Sequence, residues 1–160
     1  MPKNNITMSS KDALTAKYGS CYITMPDGNR YLFLQAKDIS LNITKTKQKV
    51  EIMGKTMIGH KSTAAEGTGS AKFHYNTSLF REQLLQFIAT GEDVYFDMQI
   101  TNDDPTTSVG RQTVIAKDCN MDGGLLAQII SNDSLLEDNF DFTFDDCNMP
   151  EVFAQLRGMQ

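Results

Sequence analysis

The sequence predicts a mostly β protein: a β-sandwich or barrel-like subunit with one flanking α-helix and a long protruding hairpin and loop. Apolar and polar residues alternate through most of the chain with the period of two that half-buried strands require. A helical spacing of apolar residues is found over residues 78–90. The length of 160 residues, of which 40% are hydrophobic, suits a single domain, residues 1–160, with its own core.

The chain begins with a polar N-terminal arm, residues 1–19, which lacks the apolar stretch of a signal peptide. Two extended runs follow, residues 21–25 and 30–36, separated by Pro-Asp-Gly-Asn at residues 26–29. Because proline fixes φ and the Asp-Gly pair favours a positive φ, this segment predicts a hairpin turn.

Residues 38–66 are predicted to form an extended hairpin and loop. An apolar face at Ile39, Leu41 and Ile43 gives way, in the same alternation, to Lys45, Lys47 and Lys49. Since a strand changes faces only at a turn or a bulge, we expect the chain to reverse around the lysines, which would lie near the hairpin tip. Residues 53–69 are rich in Gly, Thr, Ser and Ala and are predicted to form a strand end and a mobile loop.

The predicted helix follows a strand at residues 70–75. Ser78 is its predicted N-terminal cap, and Gly91 its left-handed C-terminal cap. Its apolar face consists of residues spaced i, i+4, i+7 and i+8: Phe80, Leu84, Phe87 and Ile88.

The last third of the chain returns to strand patterns. Strands are predicted at residues 94–100, 111–117, 125–131 and 140–144, followed by a C-terminal arm, residues 147–160. The strand at 140–144 places its phenylalanines inward and its acidic residues outward.

Charge is divided unevenly along the chain, although the net charge is only −5. Residues 1–91 carry 12 Lys and Arg against 6 Asp and Glu, whereas residues 92–160 carry 3 against 14. A sorted surface charge can arise without function, but it also suits a subunit whose basic part meets the acidic part of another copy. An acidic chain is a poor candidate for a nucleic-acid reader.

Motifs for catalysis or cofactor binding are incomplete, and we expect neither an enzyme nor a cofactor. Residues 54–62 approach a phosphate-binding loop, but His60 interrupts the motif and no helical pattern follows directly. Residues 118–123 resemble the start of a calcium loop whose twelfth position is Ile129 instead of Glu. The three cysteines are far apart and indicate free, buried thiols. No apolar run approaches the length of a membrane span, so we expect no membrane insertion.

A longer motif carries a family resemblance. Residues 52–61, Ile-Met-Gly-Lys-Thr-Met-Ile-Gly-His-Lys, are followed by Gly-Thr-Gly-Ser-Ala-Lys-Phe at 67–73 and Thr-Ser-Leu-Phe at 77–80. Together with residues 142–151, these segments resemble the tail tube proteins of contractile phage tails, in particular those of PBSX-type particles. The resemblance covers roughly residues 20–155.

The resemblance implies a structural subunit of the inner tail tube. Six copies would form a ring, and rings would stack by self-assembly inside a contractile sheath, with baseplate and tape-measure proteins as further partners. The lumen would conduct DNA, without specific binding, or ions in a phage-derived bacteriocin. The protein would be made and assembled in the bacterial host cytoplasm and reside in the virion or bacteriocin particle.

The same resemblance assigns contacts between subunits to the basic hairpin and its neighbourhood: Lys45, Lys47, Lys49, Met53, Met57, His60 and Lys61. A conduit for DNA should have a polar to acidic wall that repels phosphate. We therefore expect one of two acidic strand faces to line or approach the lumen, the first with Asp141, Thr143 and Asp145, the second with Tyr95, Asp97 and Gln99, or both to point outward.

Two other functions remain open at this point. A monomeric β-sandwich binding module could hold a carbohydrate or peptide in the predicted loop at residues 63–69. A small hydrolase could use His60 or His74, although neither has an acid at a fixed spacing.

Overall fold

The computed structural model describes residues 7–156 and 158–159, so residues 1–6 of the N-terminal arm and residues 157 and 160 of the C-terminal arm lie outside the description. Among the described residues, a short 3-10 turn at Ser10–Asp12 precedes eight strands and one helix. The strands are β1 Gly19–Thr24, β2 Arg30–Leu32, β3 Ala36–Val50, β4 Gly59–His74, β5 Phe96–Asp103, β6 Arg111–Met121, β7 Glu137–Phe144 and β8 Asp146–Glu151, and helix α1 is Leu79–Thr90.

The strands pair antiparallel in the order β2-β1-β5-β6-β7-β4-β3, with β8 also paired to β6. Strand β6 joins two layers, because its first part pairs with β5 and β8 while Asn120 and Met121 pair with β7. Between these parts lies a bulge, at which Asp118 adopts a φ of 55°. The mostly β fold with a flanking helix is therefore confirmed for the described residues.

The core is a cluster of phenylalanines between the two layers and α1. Phe73 and Phe140 come from one layer and Phe96 from the other, and α1 contributes Phe80. The rings of Phe80 and Phe140 lie 4.6 Å apart between centroids, and neighbouring pairs meet at tilted or edge-on angles, as aromatic side chains prefer. The inward orientation predicted for the phenylalanines of β7 is confirmed.

The mobile loop predicted within residues 53–69 is wrong from Gly59 onward, whereas residues 53–58 belong to the connection between β3 and β4. Strand β4 starts at Gly59 and pairs with β3 and then also with β7. Its small residues allow close packing: a Cβ on Gly69 would lie 2.7 Å from Cε2 of Phe142, and one on Gly67 would lie 2.6 Å from Cδ2 of Phe144. The two glycines therefore make room for aromatic rings of β7 and are part of a strand instead of a loop.

The predicted reversal at residues 45–49 is also wrong. Strand β3 continues to Val50, and the chain reverses between Val50 and Gly59. The change of alternation coincides with a bulge: Thr46 faces Ala64, whereas Lys47 faces Ser62, so that Thr63 is an extra residue on β4. The lysines accordingly lie along the strand and not at its tip.

Helix α1 begins and ends close to the predicted positions. Gly91 has a φ of 75°, and its N–H donates to the carbonyl oxygen of Phe87 at 2.8 Å, which confirms the left-handed cap. Ser78 precedes the helix without a capping bond from its side chain. Of the predicted apolar face, Phe80 is buried, while Phe87 and Ile88 are exposed.

Two further predictions need correction near the C-terminus. Residues 125–131 are not a strand but part of the connection between β6 and β7. The predicted C-terminal arm includes β8, and the amide of Ala154 then donates to the carbonyl oxygen of Val109 at 2.8 Å. The N-terminal arm is fastened as well, because Thr15 donates its N–H to Asp104, which is only 2% exposed.

Candidate assembly surfaces

The most prominent surface feature is the outer part of the β3–β4 pair, residues 44–66, here called the hairpin extension. Strand β4 pairs with β7 only from Gly67 onward, so beyond that point β3 and β4 pair with each other alone. The ladder of the extension runs from Thr44 opposite Glu66 to Val50 opposite Gly59, a length of about 20 Å. Nearly every side chain on it is exposed.

The tip of the extension is a tight turn with apolar side chains. The amide of Lys55 donates to the carbonyl oxygen of Ile52 at 3.1 Å, and Gly54 has a φ of 84°. This is the pattern of a type II turn, in which the third residue needs a positive φ. Met53 is fully exposed, Met57 is 82% exposed, and Ile52 and Ile58 are about half exposed.

All the residues predicted to contact other subunits lie on the hairpin extension and are exposed: Lys45, Lys47, Lys49, Met53, Met57, His60 and Lys61. The lysines of β3 share one face, and beyond the bulge at Thr63 they stand opposite Ser62 and His60. The structure thus brings the predicted residues onto one continuous, basic and apolar projection.

The two predicted lumen faces lie on different layers. Asp141 of β7 is exposed, and it stands opposite Ser70 of β4, which in turn stands opposite Ser40 of β3. The Ser40 and Ser70 hydroxyl oxygens are 3.0 Å apart.

The alternate residues of β7, Phe140 and Phe142, are buried, so this polar face of β3, β4 and β7 points away from the core. Asp145 is exposed just beyond β7, and Thr143 is half-buried within the face.

The second predicted face lies on β5 and is occupied by contacts within the chain. Gln99 accepts a hydrogen bond from the Arg30 guanidinium at 3.1 Å, and Arg30 also lies over the Tyr22 ring at 4.1 Å. Asp97 accepts a hydrogen bond from the amide of Asp118 at 3.2 Å.

Tyr95 precedes β5 and is exposed. Because the alternate residues Phe96 and Met98 are buried, this face also points outward, but from the opposite layer.

The segment at residues 63–69, on which the binding-module hypothesis depends, is part of β4 and not a loop. Within residues 7–156 and 158–159, no group of three or more His, Cys, Asp or Glu side chains could hold a metal ion. The described part of the chain also contains no helix of the length and apolarity that a membrane span requires.

All three cysteines are free thiols, as predicted. Cys21 and Cys119 are buried, and Cys147 is half-buried. Burial in the core raises the pKa of the Cys21 thiol to about 12, and burial together with nearby Asp97 raises that of Cys119 to about 12. Protonated buried thiols are chemically inert at neutral pH, so these cysteines fill space in the core.

Sequence reasoning missed a groove beside α1, which we call the α1 groove. It has a volume of about 330 Å³ and is lined by Leu84, Phe87, Val94, Met121, Asp93 and Asp122. The helix pattern contains a signal for this groove. The apolar face of α1 extends past the buried Phe80 to Phe87 and Ile88, which are exposed, so an apolar surface remains beside the helix.

Comparison with known proteins assigns this architecture to a family. A family model described as "Phage tail tube protein" matches residues 6–151. The PBSX phage-like element protein XkdM of Bacillus subtilis (strain 168) is 32% identical over 149 residues, which cover 93% of this chain and 98% of that protein. A second Bacillus subtilis protein, YqbM, is also 32% identical, over 91% of this chain and 96% of its own.

Solved structures with the same fold come from tail assemblies. A chain in the anti-feeding prophage baseplate aligns with a TM-score of 0.69 at 10% identity, covering 89% of this chain and 97% of its own. The SPP1 tail tube protein aligns with a TM-score of 0.61 at 6% identity, covering 86% and 78%. The resemblance to tail tube proteins seen in the sequence motifs is therefore confirmed. The chain belongs to the phage tail tube protein family and is a structural tail tube subunit of a virion or phage-like particle.

Proposed function

We propose that this chain assembles into hexameric rings that stack head to tail as the inner tube of a contractile phage tail or a phage-derived bacteriocin. The lumen of the tube conducts DNA or ions. The observation that carries the proposal is the hairpin extension: a paired ribbon about 20 Å long that extends beyond the pairing with β7 and has an exposed, apolar tip.

The extension needs a partner on physical grounds. A two-stranded ribbon in water is marginally stable without a third strand or a packed face. Strand β3 has no second neighbour in the described part of the chain, so its outer edge exposes a long row of backbone donors and acceptors. Such edges pair readily with other chains. Further copies of the same chain, arranged by ring symmetry, would cover the edge and stabilise the ribbon.

We assign the polar face of β3, β4 and β7 to the lumen. Its exposed members include the short, hydrophilic Ser40 and Ser70, the acidic Asp141, and Lys72, which stands opposite the acidic Asp38; Asp145 lies beyond the strand end. These side chains offer DNA neither an apolar surface nor an array of cations, so a phosphate backbone can pass without being held. The face with Asp97 and Gln99 is a weaker candidate because its polar groups already bond within the chain.

The tube subunit would work with a sheath protein, a baseplate and a tape-measure protein, and assemble in the cytoplasm of the bacterial host. Structures with this fold include chains from a sheath–tube complex, a baseplate and a tube-terminating cap, which supports such partners. The role is structural and uses no cofactor and no catalysis.

Electron microscopy of the pure, concentrated protein tests the proposal. We expect rings or hollow rods for the intact chain. A variant in which residues 44–66 are replaced by an Asn-Gly turn joining Ile43 to Gly67 should remain folded by circular dichroism but form no rods. A matched control replaces Asp133 and Ser134, in the connection before β7, by Asn-Gly and should assemble normally. A monomer at every concentration for the intact chain would refute the tube.

A cryo-EM map of the assembled rods tests the lumen assignment separately. The face with Ser70 and Asp141 should line the inner wall. If that face lies on the outer wall, the assignment is wrong even though the tube itself stands.

A further inference from the structure

The hairpin extension exposes its apolar tip without any cover from its own chain. Met53 is fully exposed and Met57 is 82% exposed, so both side chains present most of their surface to solvent. Methionine side chains are flexible and polarizable, and they adapt to irregular apolar surfaces. Three lysines, Lys49, Lys55 and Lys61, and one acid, Glu51, lie in or beside the tip, which is therefore basic overall.

The α1 groove has the opposite charge and a matching apolar floor. Phe87 is 47% exposed, and Leu84, Val94 and Met121 are half-buried around it. Asp93 and Asp122 stand at its rim, and Glu82 and Glu92 line the adjoining depression, which shares Asp93 and Val94 with the groove. An open site of this size holds an aliphatic side chain or two, while its rim attracts cations.

We infer that the hairpin tip of one copy docks into the α1 groove of a second copy, with Met53 and Met57 on Phe87 and Lys55 near Asp93. The inference rests on the proposed function and names the contact by which subunits join. Two different surfaces take part, so the contact is heterologous: each copy keeps a free tip or a free groove and can bind a further copy. Both surfaces are exposed in the single chain, and their charges are complementary.

A mixing experiment tests this contact directly. The tip variant carries Met53→Gln and Met57→Gln, and the groove variant carries Phe87→Gln and Asp93→Lys. Each variant keeps one intact surface, so an equal mixture should yield a new species containing both variants in a 1:1 ratio, resolved by native mass spectrometry. Neither variant alone should form rods. All four positions are exposed, and unchanged thermal unfolding of each variant would verify that both fold.

A charge exchange and a control make the assignment specific. Lys55→Glu or Asp93→Lys alone should weaken assembly about tenfold, and the combination should restore most of it, because the pair attracts again in reversed order. Ile129→Gln removes another exposed apolar side chain, in the connection between β6 and β7, and should leave assembly unchanged.

The outcomes separate this contact from the tube itself. If the intact chain forms rods but the mixture yields no joint species, the groove assignment is wrong and the tube stands. If the mixture yields the joint species although the intact chain never forms rods, the contact is right and the tube is wrong. Loss of assembly in Ile129→Gln equal to that in the groove variant would also overturn the assignment, since the groove would then not be the specific acceptor.

Discussion

Gly69 of β4 lies directly opposite Phe142 of β7, and the phenyl ring of Phe142 occupies the space that a side chain on Gly69 would need. A Cβ at that position would lie 2.7 Å from Cε2 of Phe142 and 3.0 Å from Cδ2 of Leu41. Phe142 is completely buried, so its ring has no free direction in which to move. The same arrangement recurs at Gly67 and Phe144, so two glycines of β4 each make room for an aromatic ring of β7.

Gly69→Ala should therefore destabilise the domain by about 1–3 kcal/mol, the usual cost of overpacking a core. Urea unfolding monitored by circular dichroism measures the change. Gly123→Ala is the matched control, because a Cβ there meets no atom within 4 Å, and it should change stability by less than about 0.5 kcal/mol. Equal effects of the two substitutions would contradict the packing argument. Phe142→Leu should relieve part of the cost in the double variant.

Arg81 of α1 and Asp138 of β7 form a buried ion pair, with side chains only 12% and 6% exposed. Arg81 also donates to the carbonyl oxygen of Thr77 and lies over the Tyr75 ring at 4.1 Å. Arg81→Met leaves the Asp138 carboxylate buried without its counter-charge and should cost about 3–5 kcal/mol in urea unfolding.

The exposed pair of Lys37 and Glu137 provides the comparison, with side chains 37% and 39% exposed. Lys37→Met should cost less than about 1 kcal/mol, because water screens this pair. A small loss in Arg81→Met, of the size seen in Lys37→Met, would mean that the buried pair does not fasten α1 to the sheet.

Thiol labelling at neutral pH should distinguish the cysteines. Burial raises the pKa of Cys21 and Cys119 to about 12, so both stay protonated and enclosed, whereas Cys147 is half-buried. In the native protein Ellman's reagent should react rapidly with one thiol, and in urea with three. Rapid labelling of Cys21 in the native state, located by peptide mass mapping, would contradict the burial.

The same pKa values predict a loss of stability in alkali. Unfolding returns Cys21 and Cys119 toward the ordinary thiol pKa of 9.0, so above pH 9 the unfolded chain releases protons that the folded chain retains. The free energy of unfolding must then fall as pH rises between about 9 and 12. Cys21→Ala should make this fall shallower in urea titrations at increasing pH.

Reversing the charges of Lys45, Lys47 and Lys49 to Glu should block rod formation without unfolding the domain. The three side chains are exposed on one face of the hairpin extension, so their removal breaks no contact in the core. Negative-stain microscopy and thermal unfolding would measure the two effects. The control variant changes the exposed Lys11, Lys17 and Lys117 to Glu, with the same net charge change, and should assemble. Normal rods from the first variant would refute charge complementarity at the extension.

The parts of the fold that the sequence predicts well are those in which burial alternates within one segment. Local patterns predict the β1–β2 hairpin, the end of α1 at Gly91 and the strand around Phe142. Turns need particular residue types, and a strand that is buried on one face alternates apolar and polar residues, so both can be recognised from neighbouring residues alone. The residues predicted for subunit contacts, from the alternation along residues 39–49 and from the motif at residues 52–61, are exposed on the hairpin extension.

The failures have a common physical origin in partners that are distant along the chain. Gly67 and Gly69 have the composition of a loop until the rings of β7 are known to lie over them. Residues 125–131 have the apolar content of a strand, but a strand also needs a partner edge, and here Leu126 and Ile129 are exposed in an irregular connection. The α1 groove likewise depends on two segments, residues 93–94 and 120–122, meeting beside one helix.

The extra residue Thr63 has a consequence for how the two ends of β4 are related. Toward the core, the odd-numbered residues Ala65 and Gly67 share a side of the ribbon with Lys45, whereas beyond the bulge the even-numbered His60 and Ser62 share that side with the lysines. The unpaired Thr63 therefore reverses which alternate residues of β4 lie on the same side of the ribbon as the lysines. In a regular ladder that paired Thr63 with Lys47, Lys61 would stand opposite Lys49, where His60 now stands, so this one unpaired residue sets which side chains of β4 the far end of the domain offers to a neighbour.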